Sequence, residues 1–302
     1  RIIHDIPLQM ITTKKLPEFG NLPVITIGNH CATARISLMG GHLLSYVPAD
    51  GEELFFLSAK SWLEPGKPIR GGIPVCWPWF SGTAAYGCDH RPPAHGLARL
   101  EMWEMLAQYE SPNGEYSEVT LGYAPAPGVF WPFPSQLTVR FGIGRRLSID
   151  ARTVNCGDQP MILSQALHSY FRVGAINKIS ITGLEGREYL EKATSFEHPE
   201  TEQQIGAITF EREVDRIFDN CSGDVAIIDP VLKRRIGIAK GGSRTYVVWN
   251  PWIAKSAGMP DFGEDEFRRM VCVETANTSG DRLTLEPGQS HWLSTSYSVT
   301  PL

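Results

Sequence analysis

The stretch QLTVRFGIGRRLSIDART (136–153) decides the fold class of this chain. It holds two short runs, QLTVRFGI and RLSIDART, on either side of Gly144. Runs of this length that are rich in β-branched and aromatic residues and are separated by a glycine predict a β-hairpin. The hairpin sets the pattern for the rest of the chain, because similar short runs recur along it.

These further runs predict more strands of the same kind. They are ARISLMG from Ala34, HLLSYV from His42, EVTLGY from Glu118, MILSQALHSYF from Met161, RTYVVW from Arg244, MVCVETA from Met270 and HWLSTSYSV from His291. The glycine pair at 40 and 41 predicts a hairpin or bulge, and GEDEFRRM (263–270) predicts at most a short helix. Strands without alternating helices indicate an all-β sandwich or barrel. No composition break divides residues 1–302, so a single domain is expected.

Composition and charge limit the class of function. The 302 residues carry a formal net charge of -5, which disfavours a nucleic-acid partner because neutralising a phosphate backbone needs a basic face. No stretch approaches the roughly 20 apolar residues that span a bilayer, so no membrane partner is expected. The six cysteines form no CxxC pair, which suggests neither a zinc knuckle nor a redox motif and favours a reducing cytoplasm.

Strand alternation singles out His168 in MILSQALHSYF. His168 shares its face with Ser164, Ala166 and Tyr170, whereas the leucines and Phe171 take the other face. Histidine is the side chain most easily tuned for proton transfer near neutral pH. The strand by itself nevertheless favours a structural histidine that neighbouring hydroxyls satisfy.

Glu274 in MVCVETAN is a second residue that could be either structural or functional. It shares its face with Cys272 and Ala276, while Val271 and Val273 point the other way. A carboxylate among small apolar side chains must be paired, hydrogen-bonded or protonated, because burying a bare charge costs several kcal/mol. A structural salt bridge to an arginine and a functional carboxylate both fit this strand.

Two arginines stand beside glycines. Arg70 in IRGGIP precedes Gly71 and Gly72, which permit close approach of the backbone to a ligand. Arg99 in AHGLAR follows His95 by four residues. The fork of an arginine suits phosphate oxygens, although most arginines simply lie on the surface.

Two further groups leave alternatives open. Asp215 in EVDRIF could bind a ligand or pair with Arg212 or Arg216. Aromatic residues that could fill a core or stack on a sugar ring are Trp77, Trp79, Phe80, Trp249 and Trp252.

In their order along the chain, these motifs resemble a known family. IRGGIPVCWPWF, AHGLAR, LHSYF, EVDRIF, VVWNPW and MVCVETAN, spread from Ile69 to Asn277, resemble the glucose-6-phosphate 1-epimerases. These enzymes are also called hexose-6-phosphate mutarotases and belong to the aldose 1-epimerase superfamily. The resemblance implies a galactose-mutarotase-like β-supersandwich, a hexose 6-phosphate as the small-molecule partner, and no metal or organic cofactor. We also expect a monomer.

The resemblance also implies roles for particular residues. They are His168 and Glu274 as the catalytic pair, Arg70, Arg99 and Asp215 as substrate contacts, and His95 and Lys255 as further candidate contacts, Lys255 with the phosphate. In some members a glutamine precedes the HG of AHGLAR. Here that residue is Ala94, so one polar substrate contact is missing or replaced.

The chemistry of anomer exchange suits these residue types. The proton of the C1 hydroxyl must leave while the ring oxygen is protonated, so one base and one acid suffice. We expect Glu274 to be the base and protonated His168 the acid, and the two arginines to clamp the phosphate. We further expect the glycines after Arg70 to let the backbone approach it, and Trp77 and Trp79 to form a rigid wall that fixes Arg70.

Three other functions stay open at this stage. A glycosidase needs two carboxylates flanking the scissile bond, a neutral-sugar mutarotase has no use for two arginines, and a sugar-binding module needs neither acid nor base. The presence of both His168 and Glu274 argues against the first and the last. The phosphate assignment depends on Arg70 and Arg99 being close in space.

Overall fold

Short antiparallel strands build almost all of the described part of the chain. In the computed structural model this part comprises residues 10–81, 92–195 and 198–302. The strands are β1 (Met10–Leu16), β2 (Leu22–Gly28), β3 (Ala32–Ser37), β4 (His42–Pro48), β5 (Val75–Cys76), β6 (Glu104–Glu110), β7 (Ser117–Tyr123), β8 (Ser135–Ile143), β9 (Leu147–Asn155), β10 (Met161–Leu163), β11 (Gln165–Leu167), β12 (Tyr170–Arg172), β13 (Ser180–Thr182), β14 (Glu188–Glu191), β15 (Glu200–Gln203), β16 (Val214–Phe218), β17 (Val225–Asp229), β18 (Arg234–Gly241), β19 (Thr245–Asn250), β20 (Met270–Asn277), β21 (Leu283–Leu285) and β22 (Ser290–Pro301).

Helices are few and short. They are α1 (Trp252–Ala257) and single 3₁₀ turns at Pro17–Phe19, Ala98–Leu100, Ile176–Lys178, Glu266–Arg269 and Ser279–Asp281. The all-β prediction is therefore confirmed, and the predicted helix within 263–270 is one 3₁₀ turn. None of the described helices has the length and apolar character to cross a bilayer.

Two eight-stranded sheets dominate the architecture. Sheet A has the order β15-β14-β16-β19-β20-β11-β5, with β12 also pairing to β20, and sheet B has the order β13-β17-β18-β22-β9-β8-β7-β6. A four-stranded sheet, β1-β2-β3-β4, and a two-stranded one, β10-β21, complete the described part. Neighbouring strands in both large sheets run antiparallel, which fits the many short connections in the sequence.

The two predicted hairpins are present. Strands β8 and β9 pair from Ser135 with Asn155 to Ile143 with Leu147 around the turn at Gly144. Strands β3 and β4 also form a hairpin, and a β-bulge interrupts it because Arg35 pairs with Ser45 whereas Ile36 pairs with Leu43. Of the two alternatives predicted at the glycine pair, the hairpin is present there, and the bulge lies within the paired strands.

The main core includes the inward residues of sheets A and B. Val271 and Val273 of β20 join the same cluster as Phe141 and Ile149 of sheet B. Across it, the hydroxyl groups of Ser169 and Tyr297 lie 2.6 Å apart in a buried hydrogen bond. The predicted alternation of β20 is confirmed, so its other face, with Glu274, points away from sheet B.

The segment MILSQALHSYF differs from the single strand that its sequence predicts. It forms three short strands, β10 to β12. Between β11 and β12 the N–H of Ser169 donates back to the carbonyl of Leu167, while the N–H groups of Ser164 and His168 donate to the carbonyls of Pro78 and Pro74. The predicted faces hold, since Leu167 and Phe171 are in the main core.

Candidate active site

The outer face of sheet A carries a cavity of about 390 Å³. Alternation along β16, β19 and β20 brings every second side chain to this face, and the register aligns them in rows. The two rows are Asp215, Trp249 and Cys272, then Ile217, Val247 and Glu274. The described residues that line the cavity are Arg70, Phe80, Ser81, Ala94, His95, His168, Lys192, Asp215, Ile217, Val247, Trp249, Lys255, Met259, Glu274 and Thr278.

The strand register also places His168 opposite Glu274. Leu167 pairs with Thr275 before the break in the ladder, and Tyr170 pairs with Cys272 after it. His168 and Glu274 therefore meet at the interruption, with Nδ1 of the histidine and Oε1 of the glutamate 3.4 Å apart. Their orientation gives no hydrogen bond, and neither His168 Nδ1 nor Glu274 Oε2 has a hydrogen-bond partner among the described residues.

Burial sets the protonation of this pair. Glu274 is 1% exposed and His168 is 8% exposed. Desolvation lowers the pKa of His168 well below its ordinary value, helped by the positive charges of Arg70 and Arg99. It raises the pKa of Glu274 well above its ordinary value, helped by the nearby Asp215 carboxylate. Both shifts favour the uncharged forms, a neutral imidazole and a protonated carboxyl, in the empty cavity.

Aromatic rings hold the imidazole of His168 in place. Tyr170 stacks on it with ring centroids 4.7 Å apart and planes 8° from parallel. Trp249 stands at 89° to it at 6.1 Å. His95 contributes a third ring, 5.6 Å away, and its Nδ1 accepts a hydrogen bond from the N–H of Ser81. Burial lowers the pKa of His95 to about 3, so this ring is neutral.

Arg70 reaches the same cavity, as the resemblance implies. Its Nε donates to Asp261 Oδ2 at 3.1 Å, and its Nη1 donates to the Tyr170 hydroxyl at 3.0 Å. Asp261 is buried, and its ion pair and hydrogen bonds to Arg70 hold the guanidinium. Because Tyr170 also stacks on His168, Arg70 is connected to the acid–base pair through a single side chain.

The expectation that Trp77 and Trp79 fix Arg70 is wrong. Trp77 is fully buried in the main core, where its Nε1 donates to Thr153 Oγ1. Trp79 Nε1 donates to the carbonyl of Pro93. Their large apolar surface is more stable inside the sandwich than at a polar rim, so Asp261 and Tyr170 take the role instead.

The glycines after Arg70 serve packing and not ligand approach. A side chain on Gly71 would come within 2.4 Å of the Phe56 carbonyl oxygen, and one on Gly72 within 2.1 Å of the Leu43 carbonyl oxygen. Both have positive φ, at 122° and 58°. The expectation that they let the backbone approach a phosphate is therefore wrong, because the space they leave is filled by neighbouring strands.

Arg99 lies behind the cavity wall. Its Nη2 donates to the carbonyl of Ala94 at 2.7 Å, and its Nε lacks a hydrogen-bond partner within the described ranges. It does not line the cavity, although its charge helps to lower the pKa of both His95 and His168. Ala94 does line the cavity, so the position where some relatives carry a glutamine faces the site and presents only a methyl group.

Asp215 and Lys255 meet on another wall. Lys255 Nζ lies 3.6 Å from Asp215 Oδ2 and donates to Glu213 Oε1 at 2.8 Å. Arg216 points the opposite way and pairs with Glu191 at 3.0 Å. Asp215 therefore does not pair with Arg216, because adjacent strand residues face opposite sides of the sheet.

Two charged residues of the site were not predicted from the sequence. Lys192 lines the cavity next to Asp215, whose charge raises the pKa of that lysine against the larger lowering by burial. Asp261 lies 191 residues from Arg70 in the sequence. The only signal for Asp261 was its place at the end of NPWIAKSAGMPD, beside the quoted motif VVWNPW.

Size alone does not select this cavity. A larger one of about 710 Å³ is lined by chain segments around Asp50, Lys233 and Pro301. Among its described lining residues, no histidine faces a buried carboxylate as His168 faces Glu274. A convergent, desolvated acid–base pair is the stronger mark of a functional site.

Comparisons with known proteins agree with this geometry. The family model of aldose 1-epimerases matches residues 23–298. A protein of Escherichia coli K12, provisionally named a glucose-6-phosphate 1-epimerase, is 33% identical over 282 residues, which cover 93% of this chain and 91% of that protein.

Solved structures show the same fold. The crystal structure of a provisionally named mutarotase from Salmonella typhimurium superposes with a TM-score of 0.85 at 28% identity, covering 100% of this chain and 96% of the other. That of galactose 1-epimerase from Lactobacillus acidophilus gives 0.73 at 14% identity, covering 97% and 98%. The predicted galactose-mutarotase-like fold is confirmed, and the chain belongs to the aldose 1-epimerase family.

Proposed function

We propose that this protein interconverts the α and β anomers of hexose 6-phosphates, with glucose 6-phosphate as the expected substrate. The observation that carries the proposal is the His168–Glu274 pair, 3.4 Å apart on the floor of a cavity that Arg70, Lys192 and Lys255 also line. Acid and base serve the reaction, and the cations serve a phosphate. The provisional name of the Escherichia coli relative points to the same substrate.

The proposed reaction needs two coupled proton transfers. Glu274 takes the proton of the C1 hydroxyl while His168 gives a proton to the ring oxygen. The electron pair of the C1 to ring-oxygen bond moves to that oxygen, so the ring opens to an aldehyde. Rotation about the C1 to C2 bond presents the other face of the carbonyl, and reclosure runs both transfers backwards. Each group contributes about 10² to 10⁴-fold.

The pKa shifts fit the open-chain stage of this cycle. The pair shares one proton, which is on His168 before ring opening and on Glu274 after it. Desolvation favours the second state, because it leaves both side chains uncharged. The buried floor thereby stabilises the arrangement that accompanies the aldehyde, the high-energy form of the sugar.

The phosphate is proposed to bind Arg70. Its guanidinium is held by Asp261 and Tyr170, which lowers the conformational entropy lost on binding. Arg99 is proposed as the second arm, acting from behind Ala94, and Lys255 as a further phosphate neighbour. Asp215 and His95, which line the cavity, are proposed to contact sugar hydroxyls.

The decisive experiment measures anomer exchange by NMR for glucose 6-phosphate beside glucose. We expect wild type to accelerate exchange of the phosphorylated sugar preferentially. Glu274→Gln should abolish the acceleration and leave folding intact. Arg70→Gln should lower kcat/KM for glucose 6-phosphate about 10- to 100-fold, because a charge-assisted contact contributes about 1.5 to 3 kcal/mol. Arg140→Gln, which removes an exposed Arg140–Asp150 pair on sheet B, is the matched control.

Each rival function corresponds to a distinct result. Equal acceleration of both sugars would contradict the phosphate assignment and favour a neutral-sugar mutarotase. Binding of hexose phosphate without faster exchange would favour a sugar-binding module, and hydrolysis of aryl glycosides would favour a glycosidase. A monomeric cytoplasmic enzyme that uses no cofactor remains part of the proposal, and sedimentation analysis tests its oligomeric state.

A further inference from the structure

A thiol lies directly beneath the acid–base pair. Cys272 precedes Glu274 by two residues in β20, so both side chains project from the outer face of sheet A. Cross-strand pairing sets Cys272 between Trp249 and Tyr170, the two rings that hold His168. Neither proton transfer of the proposed reaction uses this thiol.

The three side chains lie close to the spacing of a metal site. One ligand atom each from His168, Cys272 and Glu274 lies within 4.8 Å of the other two. Ligand atoms around a tetrahedral zinc ion are about 3.3 to 3.8 Å apart, given the usual zinc–ligand bond lengths. The His168–Glu274 separation of 3.4 Å already falls in that range, and side-chain shifts of about 1 Å would bring the third ligand into it.

Two of the three ligands have unused lone pairs. His168 Nδ1 and Glu274 Oε2 are buried and accept no hydrogen bond from the described residues. Both residues line the cavity, which provides an entry path. An unpartnered buried acceptor is energetically costly, and a cation between these atoms would relieve that cost.

We propose that His168, Cys272 and Glu274 form an inhibitory site for a thiophilic divalent cation of the zinc or cadmium class. A mixed sulfur, nitrogen and oxygen ligand set selects such ions over magnesium and calcium, which prefer oxygen ligands alone. Binding expels the thiol proton of Cys272 and the carboxyl proton of Glu274 to solvent and leaves the fourth coordination position open to the cavity. The metal occupies the lone pairs that accept protons in anomer exchange, so bound and catalytic states exclude each other.

Inhibition rests on the proposed function, whereas binding does not. Cobalt(II) added to the whole protein therefore provides the primary test, because a cobalt–thiolate bond gives a charge-transfer absorption in the near ultraviolet. We expect this band to saturate at one equivalent and to disappear on addition of zinc. Cys272→Ser should abolish it with little change in side-chain volume, and so should Cys272→Ala. Cys156→Ala, which removes an exposed thiol elsewhere, should retain it.

The kinetic arm measures zinc inhibition of anomer exchange, with each variant referred to its own metal-free rate. Cys272→Ser should raise the half-inhibitory zinc concentration about tenfold or more, because it replaces the soft ligand. A wild-type protein without the cobalt band, a band that persists in folded Cys272→Ser, or activation by zinc would overturn the site. Absence of anomer exchange in the metal-free wild-type protein, together with a cobalt band after cobalt is added, would overturn the proposed function and leave the metal site standing.

Discussion

His168 and His42 are two buried histidines in two different surroundings. His168 is 8% exposed and His42 is 0% exposed. Burial lowers the pKa of both, that of His42 to about 4, and Nδ1 of each lacks a hydrogen-bond partner in the described part of the chain. His168 nevertheless faces a cavity and a carboxylate at 3.4 Å, whereas His42 Nε2 donates to the carbonyl of Gly71 at 2.7 Å in a closed core.

This difference shows what marks a functional histidine. Burial and a shifted pKa are common to both residues, so neither identifies the site by itself. The cavity and the complementary titratable group are specific to His168. His42 instead supports the Gly71–Gly72 turn next to Arg70, which makes it a structural histidine beside the site.

Among the changes that test this comparison of histidines, His168→Asn should have the largest effect. Loss of the acid should lower kcat for anomer exchange about 10² to 10⁴-fold, while the melting temperature changes little because the side chain adjoins a cavity. Exchange rates by NMR and thermal unfolding by circular dichroism measure the two quantities. A kcat close to that of wild type in His168→Asn would show that His168, like His42, is a structural histidine.

Leu167, the residue before His168, should show the opposite pattern, with a loss of stability and no loss of activity. Leu167 is fully buried on the inner face, so Leu167→Ala should reduce the free energy of unfolding by about 2 to 5 kcal/mol. The folded fraction should keep the kcat of wild type, because the side chain points away from the cavity. Urea unfolding and kinetics at matched folded concentration test this, and a large loss of kcat without a loss of stability would contradict it.

His42 should make the protein sensitive to acid. Its pKa is lowered from 6.5 to about 4 in the folded state, so the unfolded chain binds more protons between these values and stability falls as pH falls through this window. Once the pH has fallen below this window, His42 has lowered the free energy of unfolding by about 3 kcal/mol. His42→Gln should give a shallower decline in the urea midpoint over this range, with His95 and His168, whose pKa values are also lowered, contributing to the remaining slope. An unchanged slope would contradict the assignment.

Asp215→Asn should have the smallest effect. It tests how a neighbouring charge tunes the proton that His168 and Glu274 share. The Asp215 carboxylate helps to raise the pKa of Glu274, so its removal should lower that pKa. The basic limb of the pH profile of kcat/KM follows loss of the shared proton and should move to lower pH. Glu213→Gln, which removes the other carboxylate beside Lys255, is the matched control, and a basic limb that moves equally in both variants would contradict this role.

Local sequence was sufficient for much of this structure. The glycine-centred hairpins, the strand positions and the faces of β20 followed from alternation, because side-chain direction in a strand depends only on parity. The order of six motifs indicated the family, the fold and the pair His168 and Glu274. Neighbouring residues carry this information, so no knowledge of distant contacts was needed.

Tertiary structure alone decided how the site is assembled. The contact of Arg70 with Asp261 spans 191 residues, and the register of β11 and β12 against β20 sets His168 opposite Glu274. The placement of Trp77 and Trp79 in the core, the packing role of Gly71 and Gly72, and the approach of Cys272 to His168 also required the sheets to be paired. Spacing along the chain does not encode such contacts, because they depend on strand order and register that many distant residues determine together.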